Sequence, residues 1–201
     1  MNFLFVDTET GGLNPEVHSL LTATFTVTDK DLRPLGTLNL KIKHDTYVVT
    51  AEALRINKIN LIEHDKVATP IPTAQILLDN FIFNYGQKNN RLMLAGHNPG
   101  FDKDFIKNTF NSTVWNEVMS YHSLDSIGLG VILKMVGVLP EKQSLSLEPL
   151  AKAMGIPVEE FHTSQGDVNA TINLVKKSVS LWKERLGSVL LVEPGQDIVR
   201  K

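Results

Sequence analysis

The first ten residues place an apolar segment directly before two acidic residues. Phe3 to Val6 is apolar at every position, which predicts a central strand that is covered on both faces. Asp7 and Glu9 follow at once, two positions apart. Side chains at i and i+2 of a strand share a face, so these carboxylates are expected to project together while Thr8 faces away. A buried strand that ends in two acids indicates an α/β sheet with a ligand site at that edge.

Hydrophobic periodicity predicts an antiparallel meander followed by helices. Apolar residues alternate with threonines from Leu21 to Val27 and with polar residues from Leu38 to Ile42, a period of two that is typical of strands. The segment 29–36 between them contains Pro34 and is turn-like. Leu92 to Ala95 predicts a fourth strand. Helical periodicity follows in five segments, which are 72–82, 101–110, 126–138, 147–154 and 168–186, the last ending at Gly187.

Composition limits the class of protein. The chain has 201 residues, of which 42% are hydrophobic and 21% charged, and we expect one domain over residues 1–187 with a C-terminal tail over 188–201. It has no cysteine, which excludes disulfides, thiolate catalysis and cysteine-ligated zinc. An acid as early as Asp7 argues against a signal peptide, and no apolar run approaches the ~18 residues of a membrane span. A cytosolic protein without membrane contact is therefore expected.

Two further acids stand in patterns that suit metal chemistry. Asp102 follows a Pro99–Gly100 pair at an expected helix start, where free N–H groups and the positive end of the helix dipole favour an anion. Asp104 lies about 200° further round that helix, so both acids cannot serve one site. His162 and Asp167 lie five positions apart in a loop that leads into the last helix. Taken singly, these motifs also have plain structural interpretations as a polar turn, a helix-start acid and a surface histidine.

Several acids in one site would need cations. Carboxylates are the ligands that a hard divalent cation such as Mg²⁺ prefers. At an effective dielectric of about 20, two close carboxylates repel each other by roughly 4 kcal/mol, so such a cluster argues for bound cations. The net charge of the chain is −2, whereas a protein that tracks long nucleic acid is usually basic. If the substrate is a polynucleotide, contact is therefore expected to be confined to a few nucleotides at one end.

The sequence contains three such motifs in order: Asp7-x-Glu9-Thr10-Gly11, His97-Asn98-x-x-Phe101-Asp102 and His162-x₄-Asp167. Together they resemble the motifs of the DEDDh (DnaQ-like) 3′–5′ exonuclease superfamily, which includes polymerase proofreading subunits, ribonuclease T-like trimming enzymes and oligoribonucleases. Segments 50–60 and 145–156 match that family more loosely. The resemblance implies a ribonuclease H-like α/β fold, in which a mixed sheet has antiparallel strands 1–3 followed by parallel strands and is flanked by helices.

The resemblance also implies a two-metal-ion reaction with a histidine general base. Asp7, Glu9 and Asp167 would hold one Mg²⁺ or Mn²⁺ ion, and Asp7 would hold the second together with Asp102. His162 would deprotonate the attacking water. Contacts with the substrate are implied for six residues, which are Thr10, Gly11, Leu13, His97, Asn98 and Phe101.

Two details of the motifs depend on local structure. Pro99–Gly100 departs from the small residues that the family usually has there, which leaves the start of the local helix open. Asp125, in the stretch 123–126, occupies a position where relatives often carry an acid outside the metal site, and it is expected to cap a helix. Leu13 would act as an apolar wedge against the terminal nucleotide.

The sequence thus predicts an exonuclease that releases nucleoside monophosphates from the 3′ end of single-stranded DNA or RNA. Two alternatives stay open: a non-catalytic nucleic-acid-binding or polymerase-binding module with the same fold, and a dinucleotide phosphodiesterase. A non-catalytic module has no need of all four acids and the histidine. The sequence does not choose between DNA and RNA, and it leaves a polymerase partner and the oligomeric state open.

Overall fold

The computed structural model describes residues 1–157 and 162–190. Within these residues a six-stranded mixed sheet is flanked by helices. The strands are β1 (Phe3–Thr10), β2 (Leu20–Thr28), β3 (Pro34–Lys43), β4 (Thr69–Pro70), β5 (Leu92–Gly96) and β6 (Met119–Asp125). The helices are α1 (Ala51–Asn57), α2 (Leu61–Val67), α3 (Ile71–Tyr85), α4 (Pro99–Thr109), α5 (Thr113–Val118), α6 (Ser126–Met135), α7 (Leu147–Ala153) and α8 (Ser164–Leu190). None of the helices in the described ranges has both the length and the apolar character required to cross a membrane.

The strand order of the sheet is β4-β3-β2-β1-β5-β6. Strands β1, β2 and β3 form an antiparallel meander, whereas β5 runs parallel to β1 and β6 runs parallel to β5. The predicted mixed sheet is therefore confirmed. The C-terminal ends of β1 and β5 lie side by side, at the place where the sheet changes from antiparallel to parallel, and such a switch point is where open α/β sheets bind ligands.

The two faces of β1 pack against different helices. Leu4 belongs to a buried cluster with residues of α3 and α4. Phe5 belongs to a second buried cluster with residues of α8. Because side chains alternate along a strand, Asp7 and Glu9 share the α8 face with Phe5, whereas Thr8 shares the α4 face with Leu4. The end of β1 can therefore present groups to both layers of the protein.

The threonines of β2 lie on a covered face. A period of two usually indicates a strand with one solvent-exposed face, yet Thr24, Thr26 and Thr28 are all buried, because α8 crosses this side of the sheet. Two of the hydroxyl groups find partners within the sheet: Thr24 Oγ1 donates to Asn39 Oδ1 at 2.8 Å, and Thr26 Oγ1 lies 3.0 Å from Thr37 Oγ1. Cross-strand neighbours thus satisfy the hydroxyl groups of Thr24 and Thr26, whereas Thr28 Oγ1 has no hydrogen-bond partner within the described residues.

Two predicted boundaries are wrong. β3 begins at Pro34, so the turn predicted over 29–36 is shorter, since proline is tolerated as the first residue of a strand. α8 continues past Gly187 to Leu190, because one glycine in a helix interior costs only about 1 kcal/mol. The rest of the predicted tail, 191–201, lies outside the described residues.

Five short elements were not predicted from periodicity, namely β4, β6, α1, α2 and α5. Each spans at most seven residues, too few for a clear hydrophobic pattern. The start of each of the three helices is instead fixed by the N-cap residue before it. The side chains of Thr50, Asn60 and Ser112 each accept a hydrogen bond from a backbone N–H of the first turn. Such caps typically stabilise a helix by about 1 kcal/mol.

Phe25, at the centre of β2, is fully buried between the layers. Phe25→Ala is expected to lower the free energy of unfolding by about 3–5 kcal/mol, because the lost transfer free energy and the new cavity both destabilise the fold. Phe83→Ala on α3 removes the same side chain where it is 61% exposed, and a change below about 0.5 kcal/mol is expected. Urea denaturation measures both variants. Equal losses would contradict the placement of Phe25 in the core.

Candidate metal centre and active site

Three carboxylates lie together at the C-terminal end of β1. One oxygen from each of Asp7, Glu9 and Asp167 lies within 4.8 Å of the other two. The first two project from one face of β1, and the third comes from the first turn of α8, which packs on that face. The structure thus brings together three of the four acids that the motifs predict at one site.

The fourth acid reaches the site from the other face of the sheet. Asp102 lies in the first turn of α4 and is only 4% exposed. Thr8 Oγ1 donates a hydrogen bond to Asp102 Oδ1 at 2.7 Å. Asp102 is close enough to Asp7 and Glu9 for charge repulsion to raise the pKa of both. Four acids therefore surround the end of β1, three in one layer and one in the other.

Thr8 belongs to the candidate site, and sequence reasoning missed it. Strand alternation correctly turns it away from Asp7 and Glu9, but the α4 face also belongs to the site, and there its hydroxyl holds Asp102. No local pattern could have shown this, because the contact depends on where α4 packs. Asp104, one position beyond Lys103 on the same helix, is exposed, as the helical rotation predicts.

Ser164, the first residue of α8, anchors that helix over β2. Its hydroxyl lies 2.8 Å from Thr24 Oγ1 and 3.3 Å from Thr22 Oγ1. These two threonines stand opposite the two acids of β1 in the antiparallel register. Asp167 lies one turn further along the helix, so the hydroxyl cluster places its carboxylate beside β1.

His162 stands at the rim of the acid cluster. Its backbone φ is 64°, in the left-handed region that residues other than glycine adopt rarely. The backbone N–H of His162 donates to the Asp167 carboxylate. The side chain is 46% exposed, and its Nε2 lies 3.9 Å from Glu148 Oε2. His162 and Glu9 line a common pocket of about 290 Å³.

The acids have raised pKa values, and burial is the largest cause in each case. Burial, followed by repulsion from the other three acids, raises the pKa of Asp7 well above its ordinary value. The pKa of Glu9 is raised to about 7 by burial and by repulsion from Asp167 and Asp102. Burial raises the pKa of Asp102 to about 7, against the hydrogen bonds from Thr8, and that of Asp167 to about 6. Within the described residues, no lysine or arginine forms an ion pair with any of these four acids.

The donor set fits a divalent cation. Asp167 Oδ1 is buried and has no hydrogen-bond partner within the described residues. A buried acceptor without a partner is costly, and a cation between the carboxylates would satisfy this oxygen and offset the repulsion. Ligands that are all oxygen suit Mg²⁺ or Mn²⁺ better than softer metals.

A largely apolar pocket of about 530 Å³ opens beside the acids. Its walls come from the end of β1, the loop after it, α1 and the first turn of α4. Thr10, Leu13 and Phe101, three of the six predicted substrate contacts, line it. Leu13 is 84% exposed, so a large apolar side chain stands in water at the mouth of the pocket.

Gly11 is required by the fold of the chain itself. A Cβ atom at this position would lie 2.3 Å from the carbonyl oxygen of Val48. The close approach lets the backbone N–H of Thr50 donate to Gly11 O at 2.7 Å. The resemblance implies a contact of Gly11 with the substrate, whereas its close neighbour in the structure is the backbone of Val48. The substrate contact of Gly11 stays a prediction.

His97 and Asn98 follow β5 in the chain, and their hydrogen bonds reach the start of α6. His97 Nδ1 lies 2.8 Å from Ser126 Oγ, and the backbone N–H of Asn98 donates to Asp125 Oδ1 at 3.1 Å. The Asp125 carboxylate also caps α6, as predicted. α4 begins at Pro99, because proline has the φ of a first helical residue and needs no N–H there. Within the described structure neither His97 nor Asn98 lines the 530 Å³ pocket, so their substrate contacts stay predictions.

Comparison with solved structures identifies the fold. The zinc-bound complex of E. coli ExoI with single-stranded DNA superposes with a TM-score of 0.78 and 24% identity, over 94% of this chain and 42% of that chain. This chain has the exonuclease I fold. Exonuclease I from Methylocaldum szegediense matches with a TM-score of 0.75 and 20% identity, over 94% of this chain and 42% of that one. The resemblance to DEDDh exonucleases that the three motifs predict is confirmed at the level of the fold.

Sequence comparison covers a shorter region. The PolC-type DNA polymerase III of Clostridium perfringens (strain 13 / Type A) is 30% identical over 118 residues, which are 57% of this chain and 7% of that protein. No protein-family model matches the chain. The chain spans less than half the length of the exonuclease I structures that share its fold.

Without divalent cations, the raised pKa values predict that the fold loses stability as the pH rises. Glu9 and Asp102, each with a pKa of about 7, bind protons more tightly in the folded chain than in the unfolded chain, where such groups titrate near pH 4. Their stabilising contribution is complete below about pH 4 and is lost by about pH 7. Thermal unfolding in EDTA across this range measures the loss, and Mg²⁺ or Mn²⁺ is expected to reverse it at neutral pH.

Exposed acids such as Glu52, whose pKa is lowered by Arg55, change stability in the opposite direction. Glu9→Gln is therefore compared with the wild type, so that these contributions cancel. The variant is expected to be the more stable of the two at neutral pH in EDTA and to gain less from Mg²⁺. An equal gain from Mg²⁺ in both proteins would exclude Glu9 from the cation site.

Thr8→Val removes the hydroxyl that holds Asp102 and keeps the shape of the side chain. The affinity for Mn²⁺ is expected to fall about 10–100-fold, the usual effect of losing a group that orients a ligand. Isothermal titration calorimetry measures it. Thr26→Val removes a buried hydroxyl on β2, whose partner is Thr37, and is expected to leave the affinity unchanged. Equal losses in both variants would mean a general effect on the fold.

Proposed function

We propose that this chain is a metal-dependent exonuclease that hydrolyses the last phosphodiester bond at the 3′ end of single-stranded DNA and releases nucleoside monophosphates. The proposal is carried by the convergence of four acids with raised pKa values beside an open, largely apolar pocket. Structures with the same fold are named exonuclease I, and one of them is a complex with single-stranded DNA. Those names favour DNA over RNA.

The acids have separate roles in the proposal. Asp7, Glu9 and Asp167, whose oxygens lie together, would hold one Mg²⁺ or Mn²⁺ ion. Asp102 would hold a second ion together with Asp7, on the side of the strand end where Thr8 fixes its carboxylate. Two bound ions would supply charge stabilisation for the attacking and leaving oxygens of an in-line displacement.

His162 is proposed as the general base. It is the exposed imidazole at the rim of the cluster and lines a pocket with Glu9. It would take a proton from a water molecule as the water oxygen bonds to the phosphorus atom. The bond from phosphorus to the 3′ oxygen of the preceding nucleotide breaks, and that oxygen gains a proton. The products are a nucleoside 5′-monophosphate and a strand that is one nucleotide shorter.

The terminal nucleotide would occupy the 530 Å³ pocket. Leu13 at the mouth and Phe101 in the wall supply apolar surface for a base, and aromatic or apolar surface binds bases without sequence preference. Thr10 Oγ1 donates to Gly12 O at 2.7 Å, which fixes the turn that carries Leu13. The net charge of −2 agrees with contacts confined to the end of the strand. A polymerase partner is left out of the proposal, because the PolC-type match covers only 7% of that protein.

Incubation of end-labelled DNA and RNA strands of several lengths with Mg²⁺ or Mn²⁺ tests the proposal. A ladder of products, each one nucleotide shorter, is expected from the 3′ end of DNA. Cleavage of dinucleotides alone would replace the proposal with a small-diester phosphodiesterase. Binding without cleavage would replace it with a non-catalytic nucleic-acid-binding module.

Two substitutions separate the roles within the site. His162→Ala is expected to lower the cleavage rate about 10²–10⁴-fold, because a positioned base contributes that much. Asp7→Ala is expected to give no cleavage above background, because it removes a ligand shared by both ions. Rates from labelled strands measure both. The controls are His122→Ala on β6 and Asp104→Ala on α4, which remove exposed residues of the same types and are expected to keep the wild-type rate. Equal residual activity in His162→Ala and Asp7→Ala would overturn this division of roles.

A further inference from the structure

The carboxylate of Glu148, in the first turn of α7, faces two partners. Its Oε1 accepts a hydrogen bond from Lys152 Nζ at 2.5 Å, one turn further along the helix. Its Oε2 lies 3.9 Å from Nε2 of His162. The lysine thus fixes one end of the carboxylate, and the other end is directed at the imidazole.

Among residues 1–157 and 162–190, little else holds the imidazole of His162. Its side chain is 46% exposed, so packing does not fix the ring. Contacts of the residue with Asp167 include a hydrogen bond through the backbone N–H, which places the main chain but not the two side-chain torsions. A general base has to present one particular ring nitrogen to the water, and the hydrogen bond made by the other nitrogen decides which one that is.

We propose that Glu148 is a positioning residue that orients His162 through Nε2. The inference rests on the proposed exonuclease function, in which His162 is the base. In the working site Glu148 would accept a hydrogen bond from Nε2–H once the 3.9 Å contact shortens, which leaves Nδ1 as the basic nitrogen. When Nδ1 takes the proton from water, the ring becomes an imidazolium, and the Glu148 carboxylate stabilises that charge while it stays ionised itself.

The surroundings of Glu148 suit this role. The hydrogen bond from Lys152 lowers the pKa of Glu148, which keeps the carboxylate charged. At 3.9 Å the contact with His162 is an ion-pair distance and longer than a hydrogen bond. Catalytic hydrogen bonds of this kind are often long without substrate and shorten when it binds.

Glu148→Gln keeps the length of the side chain and removes its charge. The expected result is a fall in kcat of roughly 10–100-fold with KM unchanged, because the change affects the base and not the binding of the strand. Glu63→Gln is the matched control: Glu63 also lies in the first turn of a seven-residue helix and pairs with a lysine, Lys66. It is expected to keep the wild-type kcat. A rise in KM with kcat unchanged in Glu148→Gln would overturn the proposal.

The same substitution in a His162→Ala background shows whether Glu148 acts through the histidine. No further loss of kcat is expected there, because residues that act as a unit are not additive. A further loss of the same size as in the wild-type background would overturn the proposal, since it would assign Glu148 a role independent of His162.

A readout that needs no catalysis separates this inference from the proposed function. Side-chain ¹⁵N–¹H NMR of the full chain without metal reports which ring nitrogen of His162 carries the proton, and the His162→Ala spectrum assigns the signal. In the wild type the proton is expected on Nε2. The His162 signal is expected to change in Glu148→Gln and to stay as in the wild type in Glu63→Gln. An unchanged His162 signal in Glu148→Gln would overturn the inference. A wild-type chain with the expected spectrum but no nuclease activity would overturn the proposed function instead.

Discussion

Repulsion between like charges is the constraint on which the rest of the structure depends. Four acids meet around the end of one strand, although burial and mutual repulsion both oppose their ionised forms. The fold keeps them together with neutral donors: the Thr8 hydroxyl for Asp102, and the hydroxyl cluster around Ser164 that sets the start of α8. Because these donors carry no charge, they fix the positions of the acids without neutralising them, as the proposed cation site requires.

The arrangement needs both layers of the protein. A single strand face offers room for two acids at i and i+2, and the remaining acids have to arrive from helices. Leu4 and Phe5 anchor β1 to α4 on one side and to α8 on the other, so the core that stabilises the sheet also sets the separation between the acids. Substitutions in the core would therefore alter the spacing of the acids as well as the stability of the fold.

The sequence predicted the parts of the site that depend on local order. The run from Phe3 to Val6 and the spacing of Asp7 and Glu9 are properties of one strand, and they led to the correct sheet edge. The contact of Thr8 with Asp102 joins residues 94 positions apart, and no periodicity records such a contact. The same holds for the close approach of Val48 to Gly11, which joins residues 37 positions apart. Short capped helices and the buried threonines of β2 also depend on tertiary packing that a single sequence does not display.

The lack of a side chain at Gly11 affects how the 530 Å³ pocket is built. Val48 packs directly against Gly11, and the backbone N–H of Thr50 donates a hydrogen bond to Gly11 O. The end of β1 and the cap of α1 therefore form one hydrogen-bonded unit. Leu13 and Ile56 both line the pocket, and each follows one part of that unit by a few residues along the chain. A side chain at position 11 would force the two parts of this unit apart, so it would change the shape of the pocket wall as well as the fold of the strand end.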